Sequence, residues 1–165
     1  KGVRASALFT RAALAIQQND HKLAIAKYKE IASDDSLPKA YRDAALIRQT
    51  ALEFDSLKPD EVIGRLEPLA KPGDPWFSSA GEMTAMALIK QNKKQEAGRL
   101  FAAIAANKTV PVSIRSRAVQ IAGSLGVDAS AAIEVLLRGQ PRSLDLGLYT
   151  LPLGSLEVRI GRISE

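Results

Sequence analysis

His21 is the only histidine in the chain, and there is no cysteine. A catalytic base or a metal ligand at His21 needs partners, and neither a second His nor a Cys exists to supply them. Beside Asp20, just ahead of an apolar stretch, His21 reads as a solvated neighbour of a helix cap. Two pairs of adjacent carboxylates come next, Asp34-Asp35 and Asp60-Glu61. Acid–base chemistry on paired carboxylates requires them to face each other across a cleft with separated pKa values. Both pairs instead fall at turns or helix starts, where acids favour the helix dipole and act as caps. Gly123-Ser124-Leu125-Gly126 follows a helical pattern, has no strand before it and lacks the Lys-Ser/Thr ending of a phosphate loop. It reads as a helix terminator. Trp76-Phe77 offers aromatic area for a partner, or more simply an anchor on the preceding hairpin beside Pro75. No catalytic residue, cofactor site or metal site is assigned.

The elements that would carry any site are helices. Residues 3–19 place Leu8, Ala12, Ala15 and Ile16 on one stripe. Asn19-Asp20 is a polar turn, with Asp20 as N-cap of a second helix carrying Ala24, Tyr28 and Ile31. Pro38 is expected to open a third helix, at a position where its missing N–H costs little. A fourth holds Val62, Ile63, Leu66 and Leu69, kinked or shortened by Pro68. Lys71-Pro72-Gly73-Asp74-Pro75 is a strong break. Helices over 76–91, 94–106 and 111–125 follow, the last ended by Gly126. Residues 131–138 could add one more short helix. Connections this short force antiparallel neighbours.

One shift relates much of this pattern to itself. Ala24, Tyr28, Ile31 and Pro38 recur 73 residues later as Ala97, Phe101, Ile104 and Pro111. The same shift carries Gln18-Asn19 onto Gln91-Asn92, Arg42 onto Arg115 and Ala45 onto Ala118. A weaker copy, Val62, Leu66 and Leu69 ahead of Pro75, lies between, so the unit is about 35 to 38 residues. Periods in this range mark helical-hairpin solenoids, in which no unit buries its apolar face alone. The expected fold is an all-α, helical-hairpin solenoid of about seven helices over residues 1–138. Residues 139–165 depart from it. There Leu144, Leu146, Leu148 and then Leu156, Val158, Ile160 alternate with polar residues or glycine, which predicts two strands that could pair as a hairpin. This tail is either foreign sequence or a segment that needs a surface, such as its equal in a second chain, to lie on.

Composition narrows the function classes. With 165 residues and 46% apolar content the chain suffices for one buried domain, and with aromatics at 5% alanine supplies much of that apolar share. The net charge is +5, but Lys22, Lys27 and Lys29 alternate with Asp20 and Glu30 as on a solvated helix face. No nucleic-acid-binding module accompanies the charge, so no nucleic-acid partner is assigned. Nothing approaches the ~18 to 20 unbroken apolar residues that span a bilayer.

Residues 5–38 and 78–111 resemble tetratricopeptide repeats. Small residues fall at Ala12 and Ala85, and the second-helix signature appears as Ala24, Tyr28, Ile31 and as Ala97, Phe101, Ile104. The family's closing proline comes late, at Pro38 and Pro111, and its first-helix aromatic is replaced by Leu8 and Gly81. The order of the segment as a whole, over roughly residues 3–125, resembles bacterial ancillary translocon subunits of the YfgM type. Ala24 through Tyr28, Arg42-Asp43 with Ala45-Leu46, Leu66-Glu67-Pro68-Leu69, Pro75-Trp76, Ala80 to Ala87 and Ala97-Gly98 to Phe101 carry that resemblance. It implies a periplasmic repeat domain behind one transmembrane helix upstream of Lys1. Its implied partners are secretion-channel subunits, periplasmic chaperones or exported chains.

The repeat resemblance also implies a site, a concave groove lined by the first helix of each unit. Carried over, its residues are Ser6, Phe9, Ala13, Ile16 and Gln17, then Ile47 and Ala51, then Ser79, Glu82, Met86, Ile89 and Lys90. Phe9, Ile16, Met86 and Ile89 would form an apolar strip with a polar edge, suited to a hydrophobic or extended segment. The alternative is that a neighbouring helix or the chain's own tail fills it. The function expected is a non-enzymatic protein-interaction scaffold on the periplasmic face of a bacterial inner membrane. The alternatives are a cytosolic repeat adaptor and, further off, a hydrolase borrowing a catalytic group.

Overall fold

Backbone chemistry at the helix ends sets the layout of this chain. A computed structural model describes residues 2–132. In order, the helices are α1 (Gly2–Gln17), α2 (His21–Ala32), α3 (Lys39–Glu53), α4 (Pro59–Leu66), α5 (Phe77–Lys90), α6 (Lys94–Ala106) and α7 (Val112–Ser124). A further helical turn opens at Ser130, and there is no strand among the described residues. The fold is all-α. The expected strands at 144–148 and 156–160 lie outside the described residues.

α1 and α5 stop in the same way. Asn19 has φ of 60° and Asn92 has φ of 62°. The left-handed region is costly for most L-residues, and asparagine is among the few that visit it. At Asn19 the turn lets Asp20 N–H reach Ala15 O at 2.8 Å, and at Asn92 it lets Lys93 N–H reach Leu88 O at 2.9 Å. α7 closes alike through Gly126, at φ of 79°, with Val127 N–H on Ala122 O at 3.0 Å. After the first turn, Asp20 Oδ1 accepts the Leu23 N–H at 2.9 Å and caps α2, as expected.

Four boundaries differ from expectation through a proline or its neighbour. Pro38 and Pro111 are N-caps with ψ of 142° and 143°, so α3 and α7 begin one residue later. Trp76 likewise caps α5 from outside. Pro68 shortens its helix: α4 ends at Leu66, and Leu69 is buried from the turn beyond it. The acids Asp60 and Glu61 occupy the first turn of α4, where Glu61 Oε2 accepts the Lys58 N–H at 3.0 Å.

Packing follows chain order. Each helix lies against the next, and the α3–α4 junction is the slightest of the six. The apolar interior forms three clusters. The first joins Leu8 and Ala12 of α1 to Tyr28 and Ile31 of α2 and Ala45 of α3. The second joins Ile47 of α3 to Val62 and Leu66 of α4, then Leu69, then Ala80 and Ala87 of α5. The third joins Phe77 and Ala85 of α5 to Phe101 and Ile104 of α6 and Ala118 and Ala122 of α7. Trp76 packs on the second cluster, the anchoring position expected for it.

Polar groups tie the ends together. Arg42 Nη1 reaches Asp35 at 2.6 Å, and its counterpart Arg115, buried, donates from Nε to Ala105 O at 2.9 Å. That cation near the C-terminus of α6 meets the negative end of the helix dipole. Arg4 and Lys27 converge on Glu30, and Lys27 foremost holds its carboxyl below the ordinary value. The Ser130 N–H does the same for Asp128, which accepts it at 2.8 Å ahead of the last helical turn.

Gly98 marks the tightest approach. A Cβ there would stand 2.5 Å from Val127 Cγ2 and 3.3 Å from Leu125 Cβ. Gly98→Ala is expected to lower unfolding stability by about 1–3 kcal/mol, despite alanine's better helix propensity. Urea denaturation measures this; a stabilised Gly98→Ala would mean that the end of α7 is free to move away.

Candidate partner-binding face

The odd-numbered helices share one side of the structure, and three side-chain bridges tie them in order. Between α1 and α3, the Phe9 ring lies 6.4 Å from that of Tyr41, and Arg48 Cζ stands 5.5 Å above the Phe9 centroid. Between α5 and the end of α3, Lys90 Nζ is 3.2 Å from Asp55 Oδ1 and 4.3 Å from the Phe54 centroid. Between α5 and α7, Arg117 donates to Glu82. The last two ion pairs each span 35 residues of chain. Phe9, Glu82 and Lys90, three residues placed on the face from sequence, therefore act as its cross-links.

The remaining residues separate by burial. Ser6, Ala13, Gln17 and Ala51 are exposed. Ile16 and Met86 are exposed apolar side chains, at 38% and 48%. Ser79 and Ile89 are half-buried, and Ile89 packs on the third cluster. Phe9 is half-buried on the first cluster, with its ring 5.8 Å from Tyr28. Ile47 is a correction. It is 8% exposed, inside the second cluster with Val62 and Leu66, and is closed to a partner. One residue further along α3, Arg48 is exposed and takes the surface position.

This changes the chemistry of the strip. Between Phe9 on α1 and Met86 on α5, α3 interposes Arg48 and Ala51, so the apolar run is broken by a guanidinium stacked on an aromatic ring. Such a cation over a ring contributes about 0.5–1 kcal/mol at an exposed site. Sequence reasoning missed Arg48, Tyr41 and Arg117. The signal for Arg48 was its spacing three residues ahead of Ala51, which fits the same helical face. Nothing local pointed to Arg117.

The side chains weighed for chemistry are held elsewhere. His21 is exposed in the α1–α2 turn, its Nε2 2.9 Å from Asn19 Oδ1. Among the described residues no group of three or more His, Cys, Asp or Glu could hold a metal ion. No helix among them is long and apolar enough to cross a membrane. No family model, curated protein or solved structure matches this chain.

The Glu82–Arg117 pair is partly exposed, which limits what it contributes. A double-mutant cycle with Glu82→Ala and Arg117→Ala, read by urea unfolding, is expected to give a coupling of about 0.2–1 kcal/mol. A coupling near zero would mean that α5 and α7 do not need this bridge to stay aligned.

Proposed function

We propose that this chain is a non-enzymatic protein-interaction scaffold of the tetratricopeptide-like class. It binds a segment of a partner along the odd-helix face. The observation that carries this reading is the pair of 35-residue bridges, Lys90 to Asp55 and Glu82 to Arg117. They recur at the spacing of one helical-hairpin unit and align α3, α5 and α7 side by side. The partner meets Ile16, Ala51 and Met86 as apolar contacts and Arg48 as the cation that fixes its register, an arrangement for modest affinity. The resemblance to ancillary translocon subunits supports a place on the periplasmic face of a bacterial inner membrane. Secretion-channel subunits, periplasmic chaperones or exported chains are the partners that follow.

The test is capture of detergent-solubilised bacterial membrane proteins on the immobilised chain, beside Met86→Glu and Arg48→Glu variants. Both positions are exposed, so helical circular dichroism should be unchanged. Secretion-channel subunits or periplasmic chaperones should be enriched, and each variant should weaken their binding about tenfold or more, the effect of ~1.4 kcal/mol. Recovery of cytosolic proteins alone would count against the periplasmic reading. Binding unchanged in both variants would remove the odd-helix face.

A further inference from the structure

The middle of the chain departs from the hairpin pattern on either side of it. α1 packs along α2, and α5 along α6, but α3 barely touches α4, which lies along α5 instead. The 73-residue shift divides the chain at the same place. It carries α1, α2 and α3 onto α5, α6 and α7, within a few residues at their ends, with α4 between the two triplets. The described residues therefore form two three-helix bodies in a row, and α4 is attached to the second. Within that second body the packing is tight, since a Cβ on Gly98 of α6 would stand 2.5 Å from Val127 Cγ2 beyond α7.

The joint between the bodies is thin and polar. Ile47 is the one buried residue that α3 gives to the second cluster, while Leu46, Phe54 and Leu57 pack there in part. Among the described residues two ion pairs cross the joint, and they differ in kind. Arg65 of α4 reaches Glu53, which also accepts from buried Gln49, and all of this lies beside the 54–58 turn through which the chain itself passes. That is where a pivot belongs. Lys90 of α5 instead reaches across to Asp55 Oδ1 at 3.2 Å and over the Phe54 ring at 4.3 Å, and Asp55 is 98% exposed. An exposed pair of this kind is screened by salt and exchanges partners readily. We propose that the α3–α4 turn is a hinge and Lys90 a releasable strap across it, so that the odd-helix face adjusts its width. With the strap in place α5 is held beside α3. When it is released, the half built from α5 and α7 tilts away from the half built from α1 and α3, a hinge movement absorbed by a few turn residues. The role of this movement rests on reading the odd-helix face as the binding surface. A carboxylate of a bound segment that takes Lys90 from Asp55 frees the two halves to fit that segment.

The chain has no cysteine, so introduced ones carry spin labels without background. Ala13→Cys with Ser124→Cys spans the joint, from α1 to the end of α7, and Lys71→Cys with Ser124→Cys stays within the second body. All three positions are exposed. Distances are read by double electron–electron resonance on the full chain with no partner added, so the outcome is independent of whether the face binds anything. Lys90→Met keeps the stem and removes the charge at an exposed position, so the fold should be retained. It is expected to broaden the spanning distance and shift it to longer values, leaving the internal pair unchanged. The unsubstituted strap at about 1 M salt, where the Debye length falls to ~3 Å, should shift the spanning pair in the same direction. A spanning distance that Lys90→Met leaves unchanged would overturn the proposal. A shift of both pairs would overturn it too, because the second body would then have loosened as a whole.

Discussion

The burial of small alanine side chains is the constraint on which this structure depends. Ala5, Ala12, Ala24, Ala45, Ala80, Ala85, Ala97, Ala105, Ala118 and Ala122 are all fully buried. Interaxial distance follows the side chains at the crossing, so a core of methyl groups draws the helices close together. The few large plugs, Tyr28, Phe77 and Phe101, fill what the alanines leave. Close packing then dictates the glycines and turns. At Gly81 a Cβ would sit 3.0 Å from Ile104 Cδ1, tighter than an ordinary contact, so α5 and α6 approach closely there. α1 and α2, like α5 and α6, are joined by only three residues, and both of these turns pass through a left-handed residue. Asn19 and Asn92 supply it at the same point of two hairpins.

The interior is nevertheless not one core. Three clusters follow one another along the chain, and the thinnest joint falls between α3 and the short α4. Polar groups supplement that joint. Glu53 accepts from Arg65 at 2.5 Å and from Gln49 at 3.0 Å, all three side chains being at least partly buried. A chain whose elements touch chiefly their neighbours has a stability close to a sum of local terms and interfaces. Its ends are then coupled less tightly than in a single-core domain. Lys90 crosses this joint to Asp55 and Phe54, which ties the alignment of α3 and α5 to contacts outside the apolar clusters.

How much of this was legible from sequence depended on whether burial constrained residue type locally. Ala24, Tyr28 and Ile31, and their equals Ala97, Phe101 and Ile104, stand out in sequence as a recurrence because all six are buried, and burial restricts the size of side chain at each. Asp20 and Gly126 read correctly because a cap acts within a few residues of itself. The middle segment was harder. Pro59, Pro68 and Pro72 interrupt the helical period within a short span, so Leu69 was placed in a helix that had already ended. Along α3, Ile47 and Arg48 fit a surface stripe equally well by spacing. What decides between them is α4 and α5 on one side and the Phe9 ring on the other, all distant in sequence. The bridges at Glu82 and Lys90 reach 35 residues away, beyond any local pattern.

Those bridges also constrain what the odd-helix face can do. Glu82 and Lys90 already have opposite charges beside them, so an incoming segment would exchange one ion pair for another and gain little. Arg48 differs. Its guanidinium rests on the face of Phe9 and has no carboxylate among the described residues, so its donors remain open to a peptide carbonyl or an acidic side chain. The apolar contribution comes from Ile16 and Met86, on either side of it. Met86 is unbranched and polarizable, and adapts to side chains of different shape. A face with one orienting cation between adaptable apolar contacts discriminates weakly among sequences while fixing where a segment lies. Such weak discrimination would suit the proposed role of a surface that meets many chains in turn rather than one partner permanently.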